Sequence, residues 1–440
     1  MLVNFTVENW RSFRDEASLS MIASREQQHG QRLARIPRYR VRILPVAAIY
    51  GGNASGKTNV VEALAFAQDM VLSRSKTDGP VAVEPFLLDA ESSRRPTRFR
   101  FEMLIGETMY EYGFATTHDT VVEERLVEIG PGRERIVFDR TDGGLDLDSR
   151  LDGADRLRFA FEGTDANQLY VANAVSQKIE LFWPLRDWFR SLHLLGPRGR
   201  SGPCPGCMSG PAHAFEGVNA ALAELDTGIV KLASQPVQPD TIGVPAPIQR
   251  ALEQRLGEGD SEFLLPPGDR SVVMAAGTAT GVVYYKQVAH HATAAGRDAV
   301  LDLDRESDGS RRLIDLLPCL LAASRPESSG VFVIDEIDRS LHTLLLRGLL
   351  ERYLDSRSAK TRSQLVFTTH DVLLMDQSLL RRDEMWVTER ASDGSSALLA
   401  LSEYKGIRHD KDVRKSYLQG RLGGVPRLLL SAPLPAPVAG

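Results

Sequence analysis

The chain has 440 residues, 42% of them hydrophobic and 25% charged, a length that predicts two or three lobes rather than one core. No stretch approaches the roughly 18 uncharged apolar residues of a membrane span, and the start lacks the layout of a signal peptide. A net charge of −5 neither demands nor excludes nucleic acid, while three cysteines are too few for a disulfide framework and point to a reducing cytoplasm without a membrane partner.

The first residues, "MLVNFTVENWRSF" (1–13), alternate as a strand does. "QRLARIPRYRVR" (31–42) is a candidate basic patch for nucleic acid, with an exposed arginine-rich loop as the plainer alternative. A buried strand, "PVAAIY" (45–50), then runs into "GGNASGKT" (51–58), which matches the phosphate-loop pattern G-x-x-x-x-G-K-[ST] in full. The helical spacing of "KTNVVEALAFAQDMVL" (57–72) completes a strand–loop–helix unit. Gly51 and Gly56 let the backbone turn inward, so that Gly52, Asn53, Ala54 and Ser55 can offer N–H groups to phosphate oxygens at a helix N-terminus. Lys57 supplies a point charge for the β- and γ-phosphates, the Thr58 hydroxyl suits a magnesium ion, and Asn59 closes the motif. The expected ligands are ATP and Mg2+.

Next, "TRFRFEMLI" (97–105) sets Phe99, Phe101, Met103 and Ile105 on one face, and "MYEYGFA" (109–115) repeats the alternation after a glycine-containing break, predicting a hairpin. "NQLYVANAVSQKIELFWPLRDWF" (167–189) has helical spacing interrupted by Pro184 and is too short for a long coiled-coil arm. "CPGC" (204–207) could take a metal through Cys204 and Cys207 with His193 and His213, but structural zinc needs four fixed ligands; a Pro-Gly loop with two free thiols is the simpler reading.

In "ESDGSRRLIDLLPCLLAA" (306–323), Ser307 and Gly309 precede an amphipathic helix, which predicts a capped N-terminus with open N–H donors. Either this is a plain helix cap, or it covers the γ-phosphate held by another subunit. "GVFVIDEIDRSLH" (330–342) reads as a second buried strand ending in acids, with Asp335 placed for hydrated magnesium and Glu336 for the general base. "LVFTTHD" (365–371) is a third such strand, ending in His370, which either donates a hydrogen bond to the γ-phosphate and senses its loss or, as a lone histidine more often does, serves structure. Lys57 and Asp335 are 278 residues apart, so a large insertion separates them. The order of motifs is that of an ABC-type ATPase head.

The sequence resembles SMC-like and RecF-like ABC ATPases, and more narrowly the bacterial abortive-infection AAA ATPases of the RloA/AbiL type, relatives of the ATPase part of OLD-family proteins. "FTVENWRSF", "GGNASGKTN", "ESDGSRRL", "VIDEIDRSLH", "FTTHD" and "GRLGGVP" (420–426) carry the resemblance; the middle third matches only loosely. It implies an α/β P-loop NTPase fold: an ABC-ATPase head with an antiparallel β-layer and a helical insertion between Walker A and signature motif. Catalytic roles fall to Glu336 and His370, "ESDGS" takes the part of the ABC signature, and "RSLH", with His342, is the loop that crosses a dimer interface. The expected assembly is a homodimer sandwiching ATP, or a higher oligomer. Transport is disfavoured, and the stretch after "FTTHD" is too short for the Toprim nuclease of OLD-like chains, implying a separate effector, a nuclease, in an anti-phage system. The alternatives are a RecF-like DNA-binding ATPase in repair and an ATP-binding scaffold without turnover.

The expected organisation is an ATPase half-lobe with its β-layer over 1–160, a mainly helical insertion over 161–270, a second half-lobe over 271–430, and a disordered Pro/Ala-rich tail over 431–440.

Overall fold

Twenty strands form three large sheets and one small ribbon in the computed structural model, which describes residues 1–72, 79–141, 144–151, 154–196, 215–225, 227–264, 273–293, 296, 298–404 and 413–422. The central sheet runs in the order Leu192–Leu195, Val331–Ile334, Gln364–Thr369, Val46–Tyr50, Met385–Arg390 and Ser396–Ala400. Its first five strands are parallel and the last pairs antiparallel. Every residue of Val46–Tyr50, Val331–Ile334 and Gln364–Thr369 is buried, as strands covered on both faces require. Each apolar run seen in the sequence thus lies side by side with the others, and their C-terminal ends share one edge.

A seven-stranded antiparallel sheet forms the second layer, ordered Gly144–Leu147, Glu134–Thr141, Val121–Ile129, Thr108–Thr116, Thr97–Ile105, Leu2–Glu8 and Ala17–Ser20. The predicted hairpin is present: Ile105 pairs with Thr108 across a turn where Gly106 adopts a φ of +59°. Phe99, Phe101 and Met103 point into the core and Ile105 is half-buried against it. Between the two sheets lie the helices Lys57–Leu72 and Trp183–Arg190, fastened by Phe66 stacked on Phe99 and by Phe189 edge-on to Phe101. The Gln364 side-chain amide, fully buried, joins the layers directly. It donates to the Leu2 and Leu44 carbonyls and accepts from the Leu2 N–H. No helix among the described residues is long and apolar enough to cross a membrane.

The middle of the chain, expected as a mainly helical insertion over 161–270, carries strands beside its helices. Helices Tyr170–Ser176, Trp183–Arg190, Glu216–Ala223 and Ala246–Arg255 are there, but so are strands Leu192–Leu195, Ile229–Val237 and Ser261–Leu264. Leu192–Leu195 belongs to the central sheet, where it pairs with Val331–Ile334. The other two join Val273–Thr278, Gly281–Ala292 and Asp298–Asp302 in a third, antiparallel sheet, so a boundary at 270 would cut paired strands. Leu222, Ile229, Leu232 and Ala289 from this region share a cluster with Ile314 and Leu317 of the helix Asp308–Ser324. Burial of that cluster binds this third sheet to that helix. The expected tail, the end of "GRLGGVP" and the "CPGC" stretch with His213 lie outside the described residues.

Candidate functional site

The phosphate loop sits at the C-terminal edge of the central sheet, between Val46–Tyr50 and the helix Lys57–Leu72. Its two terminal glycines are required sterically. A Cβ at Gly51 would overlap the Thr388 hydroxyl, and one at Gly56 would come within 2.8 Å of Ser12 Oγ and 2.9 Å of Ser396 Oγ, at a φ of +107°. Ser55 and Thr388 hydroxyls meet at 2.5 Å, tying the loop to the neighbouring strand. Lys57 is buried, and its ammonium donates to the Gly51 and Gly52 carbonyls at 2.8 and 3.0 Å. Burial pulls its pKa from 10.5 down to about 8, opposed by the carboxylates of Asp335, Asp338 and Glu336.

On the adjacent strand ends, Asp335 is buried with Oδ1 accepting from the Thr368 hydroxyl at 2.5 Å. Its Oδ2 is buried with no hydrogen-bond partner among the described residues. An orphaned carboxylate oxygen beside a phosphate loop suits a hard divalent cation. With Thr58 at the helix start, the donor set fits a magnesium ion that keeps most of its ligands as water and phosphate. No cluster of three or more His, Cys, Asp or Glu suited to a metal occurs among the described residues. His193, the described member of the group considered around "CPGC", stacks on Phe332 at 4.7 Å.

Glu336 takes a left-handed φ of 48°, costly for a residue with a Cβ. Three bonds hold it there. Its N–H donates to Thr368 Oγ1 at 2.8 Å, its carbonyl accepts from Arg312 at 2.8 Å, and the Arg339 N–H also reaches that carbonyl, at 3.1 Å. His370 lies with Nδ1 3.4 Å from Lys57 Nζ, and its backbone N–H donates to the Asp338 carboxylate at 3.3 Å. Burial, then the Lys57 charge, hold its imidazole below the usual histidine range, so the ring is neutral at pH 7.

One cleft of about 940 Å³ gathers Asn53 to Asn59, Glu336 and His370. Arg11 and Ser12, Val83 to Leu88, Arg390 and Gly394 complete its walls; of these only Arg11 and Ser12 lie in a stretch quoted from the sequence, "FTVENWRSF", and none was given a role there. Arg11 adopts a φ of 49°, with its guanidinium paired to Glu62 and Glu84. The neighbouring Trp10 and Ser12 bond to Asn59, through its carbonyl at 2.9 Å and its amide at 2.7 Å. "NWRSF" therefore braces the first turn of the phosphate-loop helix, a role that adjacency in sequence could not reveal.

Ser307 and Gly309 do not line this cleft. Ser307 caps the helix Asp308–Ser324, accepting from Ser310 N–H at 3.0 Å. A Cβ at Gly309 would stand 2.9 Å from the Ser340 carbonyl, so the cap packs against the "RSLH" loop of its own chain. His342 caps the next helix, Thr343–Asp355, its Nδ1 accepting from Leu344 N–H at 3.2 Å. Arg312 links the cap to the acidic strand through the Asp335 and Glu336 carbonyls, both at 2.8 Å.

Affinity for ATP should follow Lys57. Below about pH 8 its amine is charged and binding is expected to be flat; above, each pH unit should weaken binding by up to about tenfold, because phosphates favour the charged form. A dissociation constant unchanged up to about pH 10 would remove Lys57 as the pairing charge.

A family model described as "AAA domain, putative AbiEii toxin, Type IV TA system" matches residues 46–376, from the phosphate-loop strand to just past His370. Among solved structures, the chain is similar to an SMC head domain from Thermotoga maritima at 14% identity, covering 91% of this chain and 98% of that one with a TM-score of 0.33. It is similar also to an SMC head bound to the C-terminal winged-helix domain of ScpA, at 13% identity over 92% and 99% of the two chains with a TM-score of 0.34. No curated protein matches it.

Proposed function

The chain belongs to this family of AAA domains, and from that premise we propose that it is an ABC-type ATPase that binds ATP with magnesium, hydrolyses it, and works as a homodimeric switch. The observation that carries the reading is a division of parts. Lys57, Glu336 and His370 converge on one cleft, whereas the signature cap at Ser307 and Gly309 stands off it. A second copy would bring its cap to the γ-phosphate and complete the site.

Within the cleft, loop N–H groups and Lys57 hold the β- and γ-phosphates while Asp335 and Thr58 would hold magnesium. That ion, when bound, neutralises charge on the phosphate oxygens. Glu336 takes a proton from the attacking water, and neutral His370 donates a hydrogen bond to the γ-phosphate. The RloA/AbiL-type resemblance extends the reading to anti-phage defence, with nucleotide state controlling a separate effector, a nuclease.

Gly309→Glu tests the composite site. It should leave ATP binding within about twofold but cut ATP-dependent dimerisation and turnover by about 10² or more, since a carboxylate would face the γ-phosphate. Gly309→Ala already presses on the Ser340 carbonyl and so controls for the local shift. Mixing Gly309→Glu with Lys57→Met should restore part of the turnover, each mutant contributing its intact half. Full turnover by Gly309→Glu alone sinks the model.

A further inference from the structure

A second concavity, of about 540 Å³, lies at one end of the seven-stranded sheet and shares no residue with the nucleotide cleft. Arg38, Arg133, Arg135 and Arg150 line it, with Glu128 as the acid in the wall. Three segments distant in sequence supply these arginines. Arg133 lies in the hairpin turn after Val121–Ile129 and Arg135 in the strand Glu134–Thr141 that follows it, Arg150 follows Gly144–Leu147, and Arg38 belongs to the arginine-rich 31–42 stretch. Tyr39 places that stretch. Its hydroxyl donates to the Ile129 carbonyl at 2.7 Å and accepts from the Met109 N–H at 2.9 Å, pinning Arg38 to the sheet end.

The charges are not all spent internally. Asp148 takes Arg150 through two bonds at 3.0 Å and Arg135 at 3.1 Å, and Arg135 also pairs with Glu128. Those two acids fix a floor of two oriented guanidinium groups. Among the described residues no carboxylate pairs with Arg38 or Arg133. Arg38 bonds only to neutral oxygens, the Glu107 carbonyl and the Thr108 hydroxyl. The pocket therefore keeps an excess of positive charge on donors whose planar forks match phosphate.

We propose that this pocket is a nucleic-acid contact, holding backbone phosphate between Arg38 and Arg133. Its concavity suits a protruding sugar–phosphate ridge better than a flat lipid surface, and Arg35 and Arg40 are exposed on the same stretch as Arg38. The contact positions a strand without reading its sequence, and it is independent of ATP.

Binding of a labelled single-stranded oligonucleotide and of its duplex to the full chain, followed by fluorescence anisotropy across a salt series, tests this. The wild type should bind at least one of them, and Arg38→Glu/Arg133→Glu should weaken binding by about tenfold or more. The slope of log affinity against log salt should fall by about 2. Arg38→Gln/Arg133→Gln should lie between the two, and unchanged ATP affinity in both double variants shows that they are folded. Lys57→Met should bind oligonucleotide as the wild type does, separating this pocket from the phosphate loop. Failure of the wild type to bind, or double variants that bind with unchanged affinity and slope, overturns the proposal. So does displacement of the oligonucleotide by inorganic phosphate or polyglutamate at equal concentrations of charge, which would mark a site for free anions or acidic peptide instead.

Discussion

Lys57→Met is expected to abolish ATP binding and, in the same protein, to raise the apparent melting temperature. Lys57 places an ammonium in a buried position where its bonds go to two carbonyls of its own loop. Burial lowers its pKa from 10.5 to about 8, so folding disfavours the charged form. The sign follows from that direction. Below about pH 8 lysine is charged in both folded and unfolded chains and the penalty is full; between about 8 and 10.5 the folded form loses its proton first and the penalty fades. A shift of that size corresponds to about 3 kcal/mol, so a methionine that keeps the apolar stem should raise the melting temperature by a few degrees at neutral pH. The advantage should shrink as pH approaches 10.5. Calorimetry across this range, beside nucleotide titration, checks both halves. A destabilised Lys57→Met protein would mean that the two carbonyl bonds outweigh the desolvation.

The same residues show why this part of the site was legible in sequence. A phosphate loop needs Gly51 and Gly56 because neighbouring hydroxyls leave no room for a Cβ, and the demand is met within eight consecutive residues. The strands that end in Asp335 and His370 were legible as apolar runs because both faces are covered. Thr368 was not, although it holds Asp335 and the Glu336 backbone at once, because nothing local separates a threonine that bonds across strands from one that packs. Arg312 is a similar case. "SRRL" offers two adjacent arginines, and only the fold turns one onto the Asp335 and Glu336 carbonyls while the other pairs with Asp308.

The strands of the middle third were not legible in the sequence, for a related reason. Leu192–Leu195 has only four residues and follows a helix, so its strand character comes from pairing with Val331–Ile334 far along the chain. Ile229–Val237 contains Pro236 and exposed Lys231, weak strand signals that its register with Gly281–Ala292 overrides. Non-local pairing decides such segments, and a window of sequence does not contain it. The cleft walls built by Arg11, Ser12 and Arg390 belong to the same class, since each approaches the loop from a remote segment.

Glu336→Gln should give the other large effect, and it separates a defence switch from a repair clamp. Glutamine keeps the shape of the side chain and leaves the backbone bonds to Thr368, Arg312 and Arg339 in place, but it cannot accept the proton of the attacking water. Turnover should drop by a factor of about 10² or more. Asp335 keeps its orphaned oxygen for magnesium and Lys57 its charge, so ATP affinity should hold within a few-fold. With hydrolysis blocked, the ATP-bound dimer should accumulate, and light scattering in ATP should show a persistent species of about twice the monomer mass. The same measurement without nucleotide should return the monomer. If nucleotide state controls an effector, the trapped dimer changes its capture or release with no DNA present; if the dimer is a repair clamp, trapping has consequences only when DNA is supplied. Left-handed Glu336 gives the outcome a structural meaning as well. A backbone strain of order 1–3 kcal/mol persists only where surrounding bonds enforce it, and here they present this carboxylate to the cleft. A Glu336→Gln protein that turns over ATP at the wild-type rate would show that the strained position serves packing, and the proton acceptor would then have to be sought at Asp338 or His370, the other groups beside Lys57.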